Sequence, residues 1–423
     1  MRVTVIGAGY VGLATAVGLS TLGHEVRVGE RDEQRIESLR SGRSPIYEPE
    51  LSALLEAAVE DGRLTVYRSN AEAVDKADVV FLAVPTPEGE DGAADTSIVF
   101  GVLDEISSAL SPGALVVMKS TVPVGSVSKI QAMLDDRGVD ATAISNPEFL
   151  REGSAISDFL HPDRIVIGTN DQRAAEMMIQ LYRGLQAPIV VTDPVSSEMV
   201  KYAANAFLAT RVTFANAVAN LCEAVGADVK DVLLGMGYDS RIGFHFFNPG
   251  PGFGGSCFPK DTNALVAVAN DAGYDFALLK SVIRINDIQR ERVVDHVRRG
   301  AGGSLQGKTV GVWGLAFKAG TDDVRSSPSL AIARRLVEEG CAVKAHDPQA
   351  RVGVDGVCQV DTPLEAARDA DVLLIATEWP EYQSVDLHDV ADVMRGDAVV
   401  DARNMLDPDA VRRLGLRYQG IGR

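Results

Sequence analysis

Cys257 ends a stretch that holds four glycines, Gly250, Gly252, Gly254 and Gly255, and stands just before a helical pattern beginning near Thr262. A thiol on a glycine-rich loop at a helix start, with Lys260 close in sequence, is placed where a thiolate is stabilised and a substrate can approach closely. It reads as a nucleophile. Cysteine is ordinarily a buried, unreactive hydrophobe, and Cys222, Cys341 and Cys358, set in helix or strand patterns, keep that reading. Asp261 can cap the helix or orient a water or a basic group, and the two roles are compatible.

Lys201 and Asn205 are spaced i, i+4 in a helical pattern, so they share a face and can address one ligand. Their surroundings, Tyr202-Ala203-Ala204 and Ala206-Phe207-Leu208, are mostly apolar and ask for burial, where a lysine and an amide need partners. The segment Asn146-Pro147-Glu148-Phe149-Leu150-Arg151-Glu152 sets two carboxylates, Glu148 and Glu152, at the expected carboxyl edge of a sheet; by spacing alone they equally fit a surface helix turn.

Gly7-Ala8-Gly9-Tyr10-Val11-Gly12 follows an apolar strand and opens a helix, the fingerprint of a dinucleotide site whose pyrophosphate lies at a helix N-terminus. Glu30 ends the next strand, where a carboxylate accepts hydrogen bonds from the adenosine ribose and repels a 2′-phosphate. NAD is therefore expected over NADP, with Arg35 as a phosphate contact. Thr86 and Thr121 lie on later loops at the same sheet edge, where they can border the nicotinamide ribose or simply punctuate the loops.

These residues need a scaffold of several domains, and 423 residues exceed what one core usually organises. Short apolar runs alternate with helical patterns: Arg2 to Ile6, Glu25 to Gly29, Val79 to Ala83, Leu115 to Lys119, Ala141 to Ser145, Arg164 to Gly168 and Ile189 to Thr192 predict a doubly wound parallel sheet. A helical pattern free of Gly and Pro follows from Ser196 to about Val225, then two more at 262–272 and 277–299. After Gly300-Ala301-Gly302-Gly303-Ser304, strands return at Thr309 to Trp313, Ala342 to His346, Val372 to Ala376 and Ala398 to Asp401. The expected α/β architecture is two Rossmann-like domains, 1–195 and 301–423, joined by a long central helix and an all-helical section, 196–300. The helix at 196–225, by its length and apolar content, is expected to build a homodimer or higher homo-oligomer.

A formal charge of −18 speaks against a nucleic-acid partner, and no apolar run approaches a membrane span. Four separated cysteines without CxxC spacing and six dispersed histidines give no metal-site pattern and suit free thiols in a reducing compartment. The N-terminus runs straight into a strand pattern, which reads as a soluble, cytoplasmic protein.

Taken in order along the chain, the motifs resemble the UDP-glucose/GDP-mannose dehydrogenase family. They are the glycine fingerprint, Ser120-Thr121-Val122-Pro123, Asn146 to Gly153, Lys201 to Asn205, the cysteine loop, and Gly314-Leu315-Ala316-Phe317-Lys318 leading to Thr321-Asp322-Asp323-Val324-Arg325-Ser326-Ser327-Pro328. The wording Gly252 to Asp261 is similar to the UDP-glucose branch; the same chemistry on GDP-mannose or UDP-N-acetylmannosamine is the alternative. The family commonly has Asp where this chain has Glu30, which bears on affinity alone. The resemblance implies a four-electron oxidation of a primary alcohol to a carboxylate with two NAD in succession, through a thiohemiacetal and thioester on Cys257. It implies that Lys201 stabilises the oxygen at C6, with Asn205 beside it, and that Glu148 is the base for thioester hydrolysis, helped by Asp261 and a water on Thr121. Glu152 and Arg325 would complete the cofactor site. Phe149, Leu150, Arg241, the backbone from Asn248 through Phe253 to Gly254, Lys318 and Arg403 would hold the nucleotide sugar, the small-molecule partner. A two-electron dehydrogenase of the 6-phosphogluconate type gives no reason for Cys257 or for the C-terminal α/β domain, and a silent nucleotide sensor would lose the reactive residues retained here.

Overall fold

The computed structural model describes residues 1–89 and 92–423. Eight short strands, β1 (Arg2–Ile6), β2 (Glu25–Gly29), β3 (Leu64–Tyr67), β4 (Val79–Leu82), β5 (Ala114–Met118), β6 (Ala141–Ser145), β7 (Ile165–Gly168) and β8 (Ile189–Thr192), form one sheet in the order β3-β2-β1-β4-β5-β6-β7-β8. Val5 in β1 pairs with Val28 on one side and Phe81 on the other, both in parallel register. The order reverses between β1 and β4, and the crevice beyond their carboxyl ends is where doubly wound sheets take ligands. Apolar clusters cover both faces, around Leu13, Val17 and Ile144 on one and around Leu103, Val116 and Ile130 on the other, which is why the central strands read as continuous apolar runs.

Two strands depart from the expected all-parallel sheet: β7 runs antiparallel to β6, pairing Gly168 with Ser145, and β8, parallel to β7, shares its direction. The helix between β6 and β7, Ala155–Leu160, has six residues. At about 9 Å it is too short to carry the chain back along the sheet as a crossover.

A second sheet, β9 (Thr309–Trp313), β10 (Ala342–His346), β11 (Val357–Gln359), β12 (Val372–Ile375), β13 (Ala398–Asp401) and β14 (Arg417–Gly420), is wholly parallel and repeats the winding, β11-β10-β9-β12-β13-β14. Three strands here were not foreseen from sequence: β3, β11 and β14. All are sheet edges, with one face wet and mixed burial along the strand, so they lack the apolar run that marks an interior strand. The exposed edge also corrects the expectation for Cys358, which sits in β11 and is open to solvent.

Between the sheets in sequence lie the helices Pro194–Val225, Val229–Gly237, Phe258–Asp271 and Ala277–Gly300. The longest starts on Asp193, whose carboxylate accepts from the Ser196 amide at 2.9 Å, with Pro194 in the first turn. The chain divides into two compact units, 1–204 with 263–274, and 205–262 with 275–423. Among the described residues no helix is long and apolar enough to cross a membrane.

Candidate active site

In the first unit the three fingerprint glycines are required for three different reasons. Gly7 has φ +96°, and a Cβ there would lie 2.7 Å from the Ala83 carbonyl oxygen; a Cβ on Gly12 would lie 1.9 Å from the oxygen of Gly7. Gly9, at the start of the Tyr10–Thr21 helix, faces open space instead. A side chain at Gly9 would fill the place where a pyrophosphate meets the helix N-terminus, so the turn fits a dinucleotide. Glu30, just past β2, is fixed by backbone donors: Oε2 accepts from Ala8 at 3.1 Å, and Oε1 from Arg31 and Asp32 at 2.7 and 3.0 Å. Arg35 reaches Oε2 at 3.9 Å and is otherwise exposed. This is the setting a ribose-binding carboxylate needs, with NAD as the dinucleotide it suits.

Lys201 and Glu148, 53 residues apart, form a buried ion pair with Nζ 2.7 Å from Oε1, their side chains 4% and 5% exposed. The other oxygen of Glu148 accepts the Leu150 amide at 2.6 Å. Burial alone would push this carboxyl up. The Lys201 charge and hydrogen bond, the Leu150 amide and the Lys119 charge outweigh it and hold the pKa below the ordinary value. The Phe149 ring borders the pair, its centroid 5.6 Å from the Lys201 ammonium and 3.5 Å from the Arg164 guanidinium. Thr86 donates to the Thr121 carbonyl at 2.9 Å, which ties the loops after β4 and β5 together. Glu152 is half-buried in the turn that opens the Ala155–Leu160 helix.

The cysteine loop belongs to the second unit, and buried amides hold its backbone. Asn286 grips Phe253 twice, accepting from its amide at 2.7 Å and donating to its carbonyl at 3.1 Å. Asn216 accepts from the Gly250 amide at 2.7 Å, and Gln289 donates to the Gly250 carbonyl at 2.9 Å. The glycines let the loop lie against its neighbours: a Cβ on Gly254 would stand 2.3 Å from the Ser326 carbonyl, and one on Gly255, at φ +82°, 2.8 Å from the Phe317 ring.

Cys257 is half-buried at the mouth of the Phe258–Asp271 helix, and its carbonyl accepts from the Asp261 amide at 2.8 Å. A helix N-terminus favours a thiolate. Asp261 is 1% exposed. It accepts from Asn205 at 2.6 Å and lies 2.9 Å from the Lys260 ammonium, close enough for an ion pair but poorly angled for a hydrogen bond.

Of the residues expected to hold the nucleotide sugar, Arg403 and Lys318 lie with this loop. Arg403 donates to the carbonyls of Ala376 and Phe317 at 2.9 and 3.0 Å, pairs with Glu378, and would be 3.3 Å from a Cβ on Gly250. Lys318 is half-buried, 5.7 Å from the centroid of the Phe317 ring. Asn248 is exposed at the start of the loop. Arg241 is exposed and forks back onto Asp239, two residues earlier on its own turn. Arg325 likewise forks onto Asp323.

Sequence reasoning passed over a set of supporting residues. Glu48 accepts from Gly153 and Ala155 at 2.7 and 2.6 Å and so fixes the turn carrying Glu152. Glu198 accepts from Gly125 and Val127 at 2.5 and 2.9 Å and fixes the loop carrying Thr121. Asn216 did carry a signal, since an amide inside an apolar helical run needs a buried partner, whereas Asn286 and Gln289 stand among Arg284, Asp287, Arg290 and Glu291 and read as a solvated face. A cavity of about 870 Å³ in the second unit, lined by Glu223, Arg292, Arg299 and Arg423 among others, holds none of the predicted site residues.

Known proteins resemble this chain over its whole length. Three models of the UDP-glucose/GDP-mannose dehydrogenase family match the chain: the NAD binding domain over residues 1–186, the central domain over 195–288 and the UDP binding domain over 311–408. A UDP-glucose 6-dehydrogenase from Rhizobium meliloti is 44% identical over 435 residues, with both chains fully covered. The structure of a UDP-glucose dehydrogenase from Pyrobaculum islandicum superposes with a TM-score of 0.92 at 40% identity, covering 100% of this chain and 97% of the other. A UDP-D-ManNAc dehydrogenase from Pyrococcus horikoshii gives 0.89 at 28% identity, covering 100% and 99%. With all three models matched in order along a chain whose glycine turn, buried lysine and cysteine loop are built as described, this protein belongs to the UDP-glucose/GDP-mannose dehydrogenase family.

Proposed function

We propose that this chain oxidises the C6 primary alcohol of UDP-glucose to the carboxylate, with Cys257 as the covalent nucleophile. The observation that carries the reading is Cys257 at the N-terminus of a fourteen-residue helix, on a loop whose backbone is pinned by Asn216, Asn286 and Gln289. A single alcohol oxidation needs no such thiol. Bound NAD supplies the hydride acceptor, and two are used in turn for four electrons; Gly7, Gly9, Gly12 and Glu30 would hold it, with Arg35, Thr86, Glu152 and Arg325 completing the site.

Lys201 binds the C6 oxygen and stabilises the negative charge it gathers as hydride leaves carbon, an oxyanion-hole role assisted by Asn205. The hydroxyl proton passes to Asp261. The Cys257 thiolate then adds to the aldehyde carbon; the new C–S bond holds the aldehyde as a thiohemiacetal, still bearing one hydrogen to lose as hydride. Asp261 returns its proton to the oxygen as the C–S bond forms and takes it back as that hydride leaves, which re-forms the C=O bond and leaves a thioester. Glu148 takes a proton from a water on Thr121, the water adds to the thioester carbon, and the C–S bond breaks to return the thiolate. Overall, one alcohol, one water and two NAD⁺ give one carboxylate, two NADH and three protons. Lys318, Arg403 and Arg241 supply cations for the diphosphate, and Phe149, Leu150 and the 248–254 backbone border the sugar nucleotide.

The identities favour UDP-glucose, at 44% and 40%, over UDP-D-ManNAc at 28% and GDP-mannose at 31%. The test is NADH formed per sugar consumed, with UDP-glucose and GDP-mannose offered in parallel to the natural protein and to Cys257→Ser. Two NADH per UDP-glucose, lost in the variant, is the expected result. One NADH, indifferent to Cys257, overturns the mechanism; two NADH from GDP-mannose alone overturns the substrate.

A second copy of this chain is the expected protein partner. Phe207, Phe214, Leu221 and Val225, each at least half exposed, are spaced by seven, seven and four along the Pro194–Val225 helix and so form one apolar stripe. A homodimer through this helix covers it, and sedimentation as a monomer at micromolar concentration would refute that. A nucleophile that must remain a thiol suits a reducing compartment, and we place the protein in the cytoplasm.

A further inference from the structure

Lys119 immediately follows β5, is buried, and takes no part in the steps above. Its ammonium donates to Asn146 Oδ1 at 3.0 Å. The same oxygen accepts from the Tyr182 hydroxyl at 2.6 Å, and Asn146 Nδ2 donates to the Val166 carbonyl at 2.7 Å. One amide at the end of β6 thereby joins β5, β7 and the residue after the Gln172–Leu181 helix, and Glu148 stands two residues beyond it.

Neutral groups could make this junction. Phe81 and Tyr182 present ring centroids 6.0 Å from the ammonium, and Asn146 is uncharged. The charges that face Lys119 are Glu148, which attracts it, and Lys201, which repels it; Tyr182 is the other titratable group, and burial pushes its pKa up so that it stays a neutral phenol. Glu148 in turn feels Lys201, Lys119 and Arg164. Burial pulls the Lys119 pKa down to about 8, so the charge is held against a desolvation cost. Two ammoniums against one carboxylate leave the cluster with an excess positive charge.

We propose that Lys119 is a positioning residue for the reaction: it fixes Asn146 and the turn carrying Glu148, and its charge keeps Glu148 ionised as the base. The proposal rests on the role given above to Glu148. Removing the cation disfavours the carboxylate form, so the acid limb of the rate profile must move to higher pH.

The experiment is kcat against pH, with saturating NAD and UDP-glucose, for the natural protein, Lys119→Met, Asn146→Asp and Glu148→Gln. In Lys119→Met the acid limb moves up by about one pH unit, the low end of the effect of a nearby cation on a carboxylate. The KM for UDP-glucose changes less than about twofold, because binding is left intact while kcat falls. Asn146→Asp, which gives the ammonium a carboxylate partner of nearly equal size, moves the limb the same way and carries the test if the methionine variant does not fold. Limbs unmoved in both, while Glu148→Gln abolishes the limb, overturn the role of Lys119 alone. An acid limb that persists in Glu148→Gln overturns the reading of Glu148, and the proposal with it.

Discussion

Replacing Asn286 with alanine tests whether the cysteine loop is held as described. The side chain is 3% exposed and satisfies both the amide and the carbonyl of Phe253, at 2.7 and 3.1 Å. Alanine leaves two buried backbone groups without partners, and each such loss costs about 1–3 kcal/mol. A water entering the space left by the amide would recover part of this, so the total is set at roughly 3 kcal/mol. For a unit of this size that lowers Tm by about 6–12 °C. Phe253 is four residues before Cys257, so the loosened loop should also lower kcat while Glu30 and the glycine turn still bind NADH. Thermal unfolding, NADH fluorescence titration and the rate of Cys257 alkylation by iodoacetamide measure the three effects. An Asn286→Ala protein whose Tm falls by less than about 2 °C, a shift that corresponds to under 1 kcal/mol, and whose kcat is unchanged would refute the idea that these two bonds position the nucleophile.

The glycine turn predicts opposite outcomes for two similar substitutions. Gly9→Ala should fold with an unchanged Tm yet lose NADH binding, whereas Gly12→Ala, whose Cβ would lie 1.9 Å from the Gly7 oxygen, should fail to give folded protein. Glu30→Ser should weaken NADH by about tenfold and bring NADPH to comparable affinity, as titration of each would show, because the ribose-binding carboxylate that rejects a 2′-phosphate is gone. The folded Lys119 pKa of about 8 lies below its ordinary 10.5, so between those values the unfolded chain binds a proton the folded chain does not, and stability rises with pH. Tm measured across that window should climb more steeply for the natural protein than for Lys119→Met, and equal slopes would refute the shift. Glu148 has the opposite linkage: its folded pKa is depressed below 4.5, so its contribution to stability is present above 4.5 and fades as pH falls through the lower folded value. The Glu148→Gln protein should accordingly lose less Tm on acidification than the natural one.

What was legible in the sequence was what is local. Interior strands announce themselves as apolar runs because both faces are covered; of the edge strands, β8 keeps such a run in Ile189-Val190-Val191, and β3, β11 and β14 do not. The glycine fingerprint and the cysteine loop are read within a dozen residues, since a tight turn and a helix start are made by neighbours. The partnership of Lys201 with Glu148 joins residues 53 apart, and that of Asn286 with Phe253 joins residues 33 apart. No spacing rule connects such pairs; only the demand that a buried polar group be satisfied hints that partners exist. The reversal of β7 was hidden for a related reason, because the length of one intervening helix decides strand direction while the strand's own residues look the same either way.

The polar groups of the two units serve opposite ends. Asn216, Asn286 and Gln289 satisfy backbone groups that burial would otherwise strand, so each stabilises the loop it holds. Lys119, Lys201 and Glu148 are different, because two cations and one anion taken from water lose more hydration than one ion pair returns, and apolar side chains of similar volume would pack there at no such cost. A fold selected for stability alone has no use for the second lysine. On the mechanism proposed above, a site that must stabilise an oxyanion and keep a carboxylate ready as a base has a use for both, and the excess positive charge then links the cost in folding to the work done on the substrate.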